Sequence, residues 1–355
     1  MKRQMFGLLA GLLALSLTGC GGTGGAASSS GASSSPSQQP LSLSELKVEL
    51  PRNLDTAAAR KAMEALPGLM RKDGVEIGAV AVTYGTSYAA TGQALGDGGV
   101  QLAFLPAQDW IRFGGDSVPI LADARPALSV DSADPNAWNA APVAAAEGWS
   151  EGTFALICAS PTEYGKNLAA RTKGGKSLTW AELDQARWGV LDSDSTAGYR
   201  CVELWLQDAY EDNGIEDLSR VTTYGSWEDL LRAAADGQID LLPLLPELRE
   251  EYAEVWTMDA TRTAQSGMHG FGRPGEIVGE LPAVAVTPRL QQWVAAVTPG
   301  DAAVNDPRFV QALETALEQA FSDPAARLAA LGAEHYAPVA ASDLDGLRRL
   351  TAGMS

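Results

Sequence analysis

The chain has 355 residues, with 44 acidic against 26 basic side chains and a formal charge of −18. That length exceeds one ordinary hydrophobic core and suits two lobes. The acidic balance excludes a nucleic-acid binder of the usual kind, which replaces counterions with Lys and Arg.

The N-terminus reads as a targeting segment. Lys2 and Arg3 precede an apolar core over 6–17, long enough for a signal peptide and short for a membrane span. It closes in Leu17-Thr18-Gly19-Cys20. Small residues before a cysteine resemble the bacterial lipobox; an ordinary signal peptide with a chance cysteine is the bland alternative. The resemblance implies a signal peptide over 1–19 and a diacylglyceryl chain on Cys20. The protein would then be anchored by lipid to the cell membrane, facing outside the cytoplasm. Residues 20–42 are Gly, Ser, Ala and Gln without periodicity, a flexible linker. No later apolar run reaches about 18 residues, so no further span is expected.

From residue 46 strands and helices alternate. Strands are predicted over 46–50, 75–83, 100–105, 118–121, 154–159 and 188–191, and helices over 56–70 and 87–95. A longer helix is predicted over 196–210, with Val202, Trp205, Leu206 and Ala209 on one face and Asn213-Gly214 as its stop. Asp306-Pro307 starts a last helix in which Phe309, Leu313, Leu317 and Phe321 align. This order argues an α/β fold with mainly parallel sheets. There is also an internal echo. Gly85-Thr86-Ser87-Tyr88 leads through a helix to Asp97-Gly98, and Gly225-Ser226-Trp227 leads through a helix to Asp236-Gly237. Any strand–helix–strand unit can look like this; two similar lobes facing one cleft is the sharper reading.

The most informative stretch is Asp192-Ser193-Asp194-Ser195-Thr196-Ala197-Gly198-Tyr199, after a strand and at a helix start. First-turn amides lack partners and the helix dipole is positive there. Ser195 and Thr196 add hydroxyls, and Gly198 permits close approach, so an oxyanion could be held without Lys or Arg. Ser195 as a plain cap is the bland alternative. Ser226 in Ser226-Trp227-Glu228-Asp229 has capping-box form, which puts Trp227 at a helix start. No nucleotide loop, metal spacing or nucleophile elbow occurs, so neither a cofactor nor an enzyme is expected. His269 and His335 read as exposed or packed. Cys158 and Cys201 read as buried thiols or one bridge.

These residues carry a resemblance over about 46–350. Tyr88-Ala89-Ala90 with Gly99-Val100-Gln101-Leu102-Ala103-Phe104, then Ser195-Thr196-Ala197-Gly198-Tyr199, then 227–240, and finally His335-Tyr336-Ala337-Pro338-Val339 resemble the phosphonate-type substrate-binding proteins of ABC importers. That family takes phosphate, phosphite or phosphonate. The resemblance implies a two-lobe type II periplasmic-binding-protein fold with a hinge. Lobe one would span 46–145 and 282–350, lobe two 146–281, and Pro282-Ala283-Val284 would be a hinge strand. It implies that Ser195, Thr196 and Ala197 hold an anionic head, that Tyr88 closes from the other lobe, and that Trp227 flanks the ligand. Glu247 falls where family members place a carboxylate for an ammonium. Ala197 stands where the motif has Ser, and Trp227 where phosphonate binders commonly have His. The first removes a hydroxyl and the second a polar contact to the oxyanion, and a Trp there suits a ligand with an apolar or flat portion. The implied partners are a small anionic solute and a membrane permease, and the implied state is a monomer. The alternatives are a binder of another solute, such as a sulfonate or vitamin precursor, or a ligand-sensing lipoprotein without transport.

Overall fold

The computed structural model describes residues 41–51, 56–326 and 333–352. The signal segment, Cys20 and the linker up to residue 40 lie outside them. Two sheets organise the chain. The first contains β1 (Leu41–Leu50), β2 (Val75–Tyr84), β3 (Leu102–Pro106), β4 (Val118–Leu128), β5 (Ala145–Glu151), β11 (Trp293–Val297) and β12 (His335–Pro338). The second contains β6 (Leu156–Ala159), β7 (Trp188–Val190), β8 (Val221–Thr223), β9 (Leu241–Leu244) and β10 (Ala283–Val286).

Both sheets are covered on two faces, so their inner strands read as apolar runs rather than alternations. In β3, Leu102 and Phe104 join one core while Ala103 and Leu105 join the other. In β6, Leu156 and Cys158 point to one face while Ile157 and Ala159 point to the opposite one. Successive side chains alternate across a strand, which splits each run between two layers. Helices Thr56–Met70 and Pro307–Ala320 cover one face of the first sheet. Phe309, Leu313, Leu317 and Phe321 are buried there, as their spacing predicts. Leu344, Leu347 and Leu350, in and just before helix Asp345–Ala352, pack in the core on the other face.

The two sheets share one topology. The first runs β2-β1-β3-β11-β4 and the second β8-β7-β9-β6-β10. In each, the first three strands are parallel, the fourth runs against them, and the fifth is antiparallel to the fourth. The α/β class therefore holds, but the sheets are mixed rather than mainly parallel. Parallel pairs arise where helices reverse the chain between strands. β6 and β11 instead enter straight from the other sheet, without a helix to turn them, and lie antiparallel.

Strand pairing also places the crossings. β5 pairs with β4, so a lobe change at 145/146 would cut off a strand of the first sheet. β10 pairs with β6, so Pro282-Ala283-Val284 belongs to the second sheet and is not the crossing. The chain passes between sheets at 152–155 and 287–292. These segments are tied together: Thr153 N–H donates to Leu290 O and Leu290 N–H to Thr153 O, each at 2.8 Å.

Two elements begin or extend where composition hid them. β1 starts at Leu41, because Leu41 and Leu43 alternate with Ser42 and Ser44 and pair along β2. β4 runs on to Leu128 through Pro126. Among the described residues no helix is long and apolar enough to cross a membrane.

Candidate functional site

The loop 191–198 is built around its own backbone. Ser195 caps the following helix: its Oγ accepts the Gly198 N–H at 3.0 Å. The Tyr199 and Arg200 amides both reach Ser195 O at 3.1 Å. The second is an i→i+5 bond, so the helix opens with a wide turn over Thr196–Arg200 before regular α-helix at Cys201–Ala209. Such π-type turns recur at functional sites because they displace one residue from the regular spiral. Arg200 pins the loop from outside, donating to Ser193 O at 3.1 Å and to Asp194 at 3.1 Å. Gly198 is needed for a reason other than ligand approach. A Cβ there would lie 2.7 Å from the Leu191 side chain and 2.7 Å from Ser195 Oγ.

A cavity of about 600 Å³ lies between the two sheets. Ser195, Thr196, Ala197, Trp227 and Glu247 line it from the second sheet's side. Asp123, Arg125 and Gln292 line it from the first. Trp227 is the first residue of helix Trp227–Ala235, whose N-cap Ser226 accepts the Asp229 N–H at 3.1 Å. Five of the six ligand residues read from sequence therefore meet in one place. Tyr88 does not line that cavity. Its ring packs edge-on against Trp293, 5.8 Å between centroids. Trp293 lines a smaller neighbouring cavity of about 190 Å³, which Thr196 and Gln292 share.

The carboxylates in the wall are largely committed. Asp123 accepts the Gln292 and Trp293 amides at 2.5 and 3.0 Å. Burial nonetheless holds its carboxyl above the usual range. Asp194 pairs with Arg200. Glu247 is paired with the guanidinium of Arg125 from across the cleft. The residue placed for a ligand ammonium thus already holds a cation. Burial lowers the pKa of Arg125 from its ordinary value, with Asp123 the main opposing charge; an Arg side chain stays charged regardless. The Thr196 hydroxyl makes no hydrogen bond among the described residues, and Arg125 keeps further N–H groups beyond the one given to Glu247. Donors therefore remain available on both sides of this cavity.

Arg125 is the residue that sequence reasoning missed. Its signal was present: Asp123 and Arg125 sit two apart in an otherwise apolar stretch, which puts both on one face of a strand. Cys158 and Cys201 are free and buried, and burial pushes their thiols up to about 11 and about 12. Neither is an accessible nucleophile.

A family model described as "ABC transporter, phosphonate, periplasmic substrate-binding protein" matches residues 58–344. The chain belongs to this family. Its members are the extracytoplasmic binding components of ABC importers; they capture a small molecule, work with a membrane permease and are not enzymes. No curated protein matches by sequence. Solved structures similar to this family member include PhnD1 from Prochlorococcus marinus in complex with methylphosphonate, at 13% identity and TM-score 0.35, covering 87% of this chain and 98% of that one. A Xanthomonas citri protein bound to chloride ion is 15% identical at TM-score 0.41, with coverage of 87% and 96%. A binding-protein component of an ABC phosphonate transporter from Pseudomonas aeruginosa is 14% identical at TM-score 0.34, with coverage of 86% and 85%.

Proposed function

We propose that this importer component binds an anionic solute in the cavity between its two sheets. Ser195, Thr196 and the amide of Ala197 hold the anionic head, and Arg125 faces them from the other lobe. The observation that carries this reading is the meeting, in one cavity, of the Thr196 hydroxyl at a helix start and the Arg125 guanidinium, with Glu247 and Asp194 paired and Asp123 held by two backbone amides. The lobes hinge at 152–155 and 287–292, and closure around the solute moves Tyr88 and Trp293 toward Thr196. The mature chain is a monomer held to the membrane by lipid on Cys20.

Ligand binding raises apparent stability by mass action, so a thermal shift reads it directly. Methylphosphonate or phosphate should raise the melting temperature of the wild type and leave a Ser195→Ala/Thr196→Ala double variant unshifted. An equal shift in both proteins removes the site from these residues. For the anchor, Cys20→Ala should move the protein from the membrane to the soluble fraction; retention at the membrane refutes it.

A further inference from the structure

Beside the polar cavity lies a second, larger one of about 720 Å³ that the proposed head-group site leaves unused. The two share Arg125, Pro126 and Glu247 in their walls, so the Arg125–Glu247 ion pair stands at their junction. Beyond that pair the wall turns apolar, with Leu128, Val130, Val143, Trp149 and Phe154. Trp149 is 45% exposed, while its ring is stacked on His335 at 4.1 Å and 17° between planes. A wide aromatic face left in water beside a concave apolar wall marks a place where something packs. The nearby cation is already spent: Arg289 lies 4.4 Å over the Phe154 ring and pairs with Asp131 at 2.8 Å. Glu250 and Glu251 also line this cavity and are exposed.

Each cavity alone falls in the range of about 300–1,000 Å³ that encloses a drug-sized molecule. A bare oxyanion occupies a small part of either. We propose that the second cavity is a subsite for an apolar, flat body of the solute whose anionic head occupies the first, an assignment that rests on the anion reading above. The cargo is an organic anion bearing an aryl or comparably large apolar group. That body carries no second negative charge, because Glu250 and Glu251 repel one at its far end.

The test compares methylphosphonate with phenylphosphonate on the purified protein, by thermal shift and calorimetry. Burying the phenyl group should make phenylphosphonate bind at least about tenfold tighter. Ala145→Trp, at an exposed position in the second cavity's wall, should fill it and bring phenylphosphonate down to the methylphosphonate level, with methylphosphonate binding unchanged. Trp149→Ala, at another exposed position, should cost phenylphosphonate several-fold and methylphosphonate nothing. Equal affinity of the two probes in the wild type, or a phenyl preference that survives both substitutions, overturns the subsite while leaving the head-group reading intact. Binding of neither probe overturns the head-group reading and the subsite with it.

Discussion

A Cβ at Gly198 would stand 2.7 Å from Leu191 and 2.7 Å from the capping hydroxyl of Ser195, closer than real carbon contacts come. Gly198→Ala should therefore push Ser195 out of its cap and cost about 1–3 kcal/mol, the range for forced overpacking. Chemical denaturation would show the loss, and the thermal shift with methylphosphonate should shrink in parallel. Asp240 offers a pH test. Burial alone would raise its carboxyl, but the Arg187 guanidinium, the Arg187 amide and the Thr162 hydroxyl outweigh that and hold it below the usual range. A depressed acid stabilises the fold above its unfolded pKa of about 4, and that stability is lost as pH falls through the folded pKa. Asp240→Asn should thus cost about 2 kcal/mol at pH 7, from lost charge-assisted hydrogen bonds, and progressively less as pH falls below about 4. Urea unfolding at both pH values measures the difference; a cost that stays constant removes the ionic explanation.

At the level of elements, the internal echo is physical. Ser87 caps its helix at φ −157° and ψ 161°, and Ser226 at φ −151° and ψ 161°. Each accepts the N–H three residues on, at 3.1 Å. The two helices stop at Gly98 and Gly237, with φ of 78° and 70°, a left-handed turn that glycine takes without steric cost. Ser226→Ala should cost about 1 kcal/mol, seen as a lower urea midpoint with unchanged slope, and should also loosen Trp227 at the cavity wall. A changed slope would mean that the variant altered more than one cap. The helix at 196–209 behaves differently. Its apolar spacing was readable, but the wide first turn was not, because it depends on Ser195 O accepting two amides at once. The helix also ends at Ala209, ahead of Glu211 and Asp212 at φ of 55° and 64°, so the stop precedes Asn213-Gly214.

Across the whole molecule, several contacts among the described residues join material from the two lobes. The crossing segments bond to each other at Thr153 and Leu290. Arg349 of the C-terminal helix pairs with Asp208 of helix Cys201–Ala209. Gly346 lets that same helix approach Leu204, which a Cβ would meet at 2.7 Å. At the cleft itself, Arg125 pairs with Glu247. On the proposed reading an anion competes with Glu247 for Arg125, so the pair would set affinity as well as lobe contact. Glu247→Gln should free the guanidinium and tighten methylphosphonate binding about tenfold, whereas Arg125→Gln should weaken it by a similar factor. Calorimetry checks both; the same direction of change in both variants would show that the pair acts only on folding.

What the sequence by itself determined were the local features. Caps, glycine stops, the 307–320 apolar stripe and the Ser195-Thr196 helix start are set by residues a few positions apart, so composition and spacing suffice to read them. The two sheets and the family were legible for the same reason, since each strand–helix–strand unit is written along the chain. Tertiary structure alone decided the direction of β6 and β11, the crossing points, and the partner of Glu247. Arg125 and Glu247 are 122 positions apart, and no local pattern can announce that one sheet will turn its guanidinium toward a carboxylate on the other. Only the packing of the lobes brings those charges together, and that juxtaposition divides one cleft into a polar and an apolar chamber.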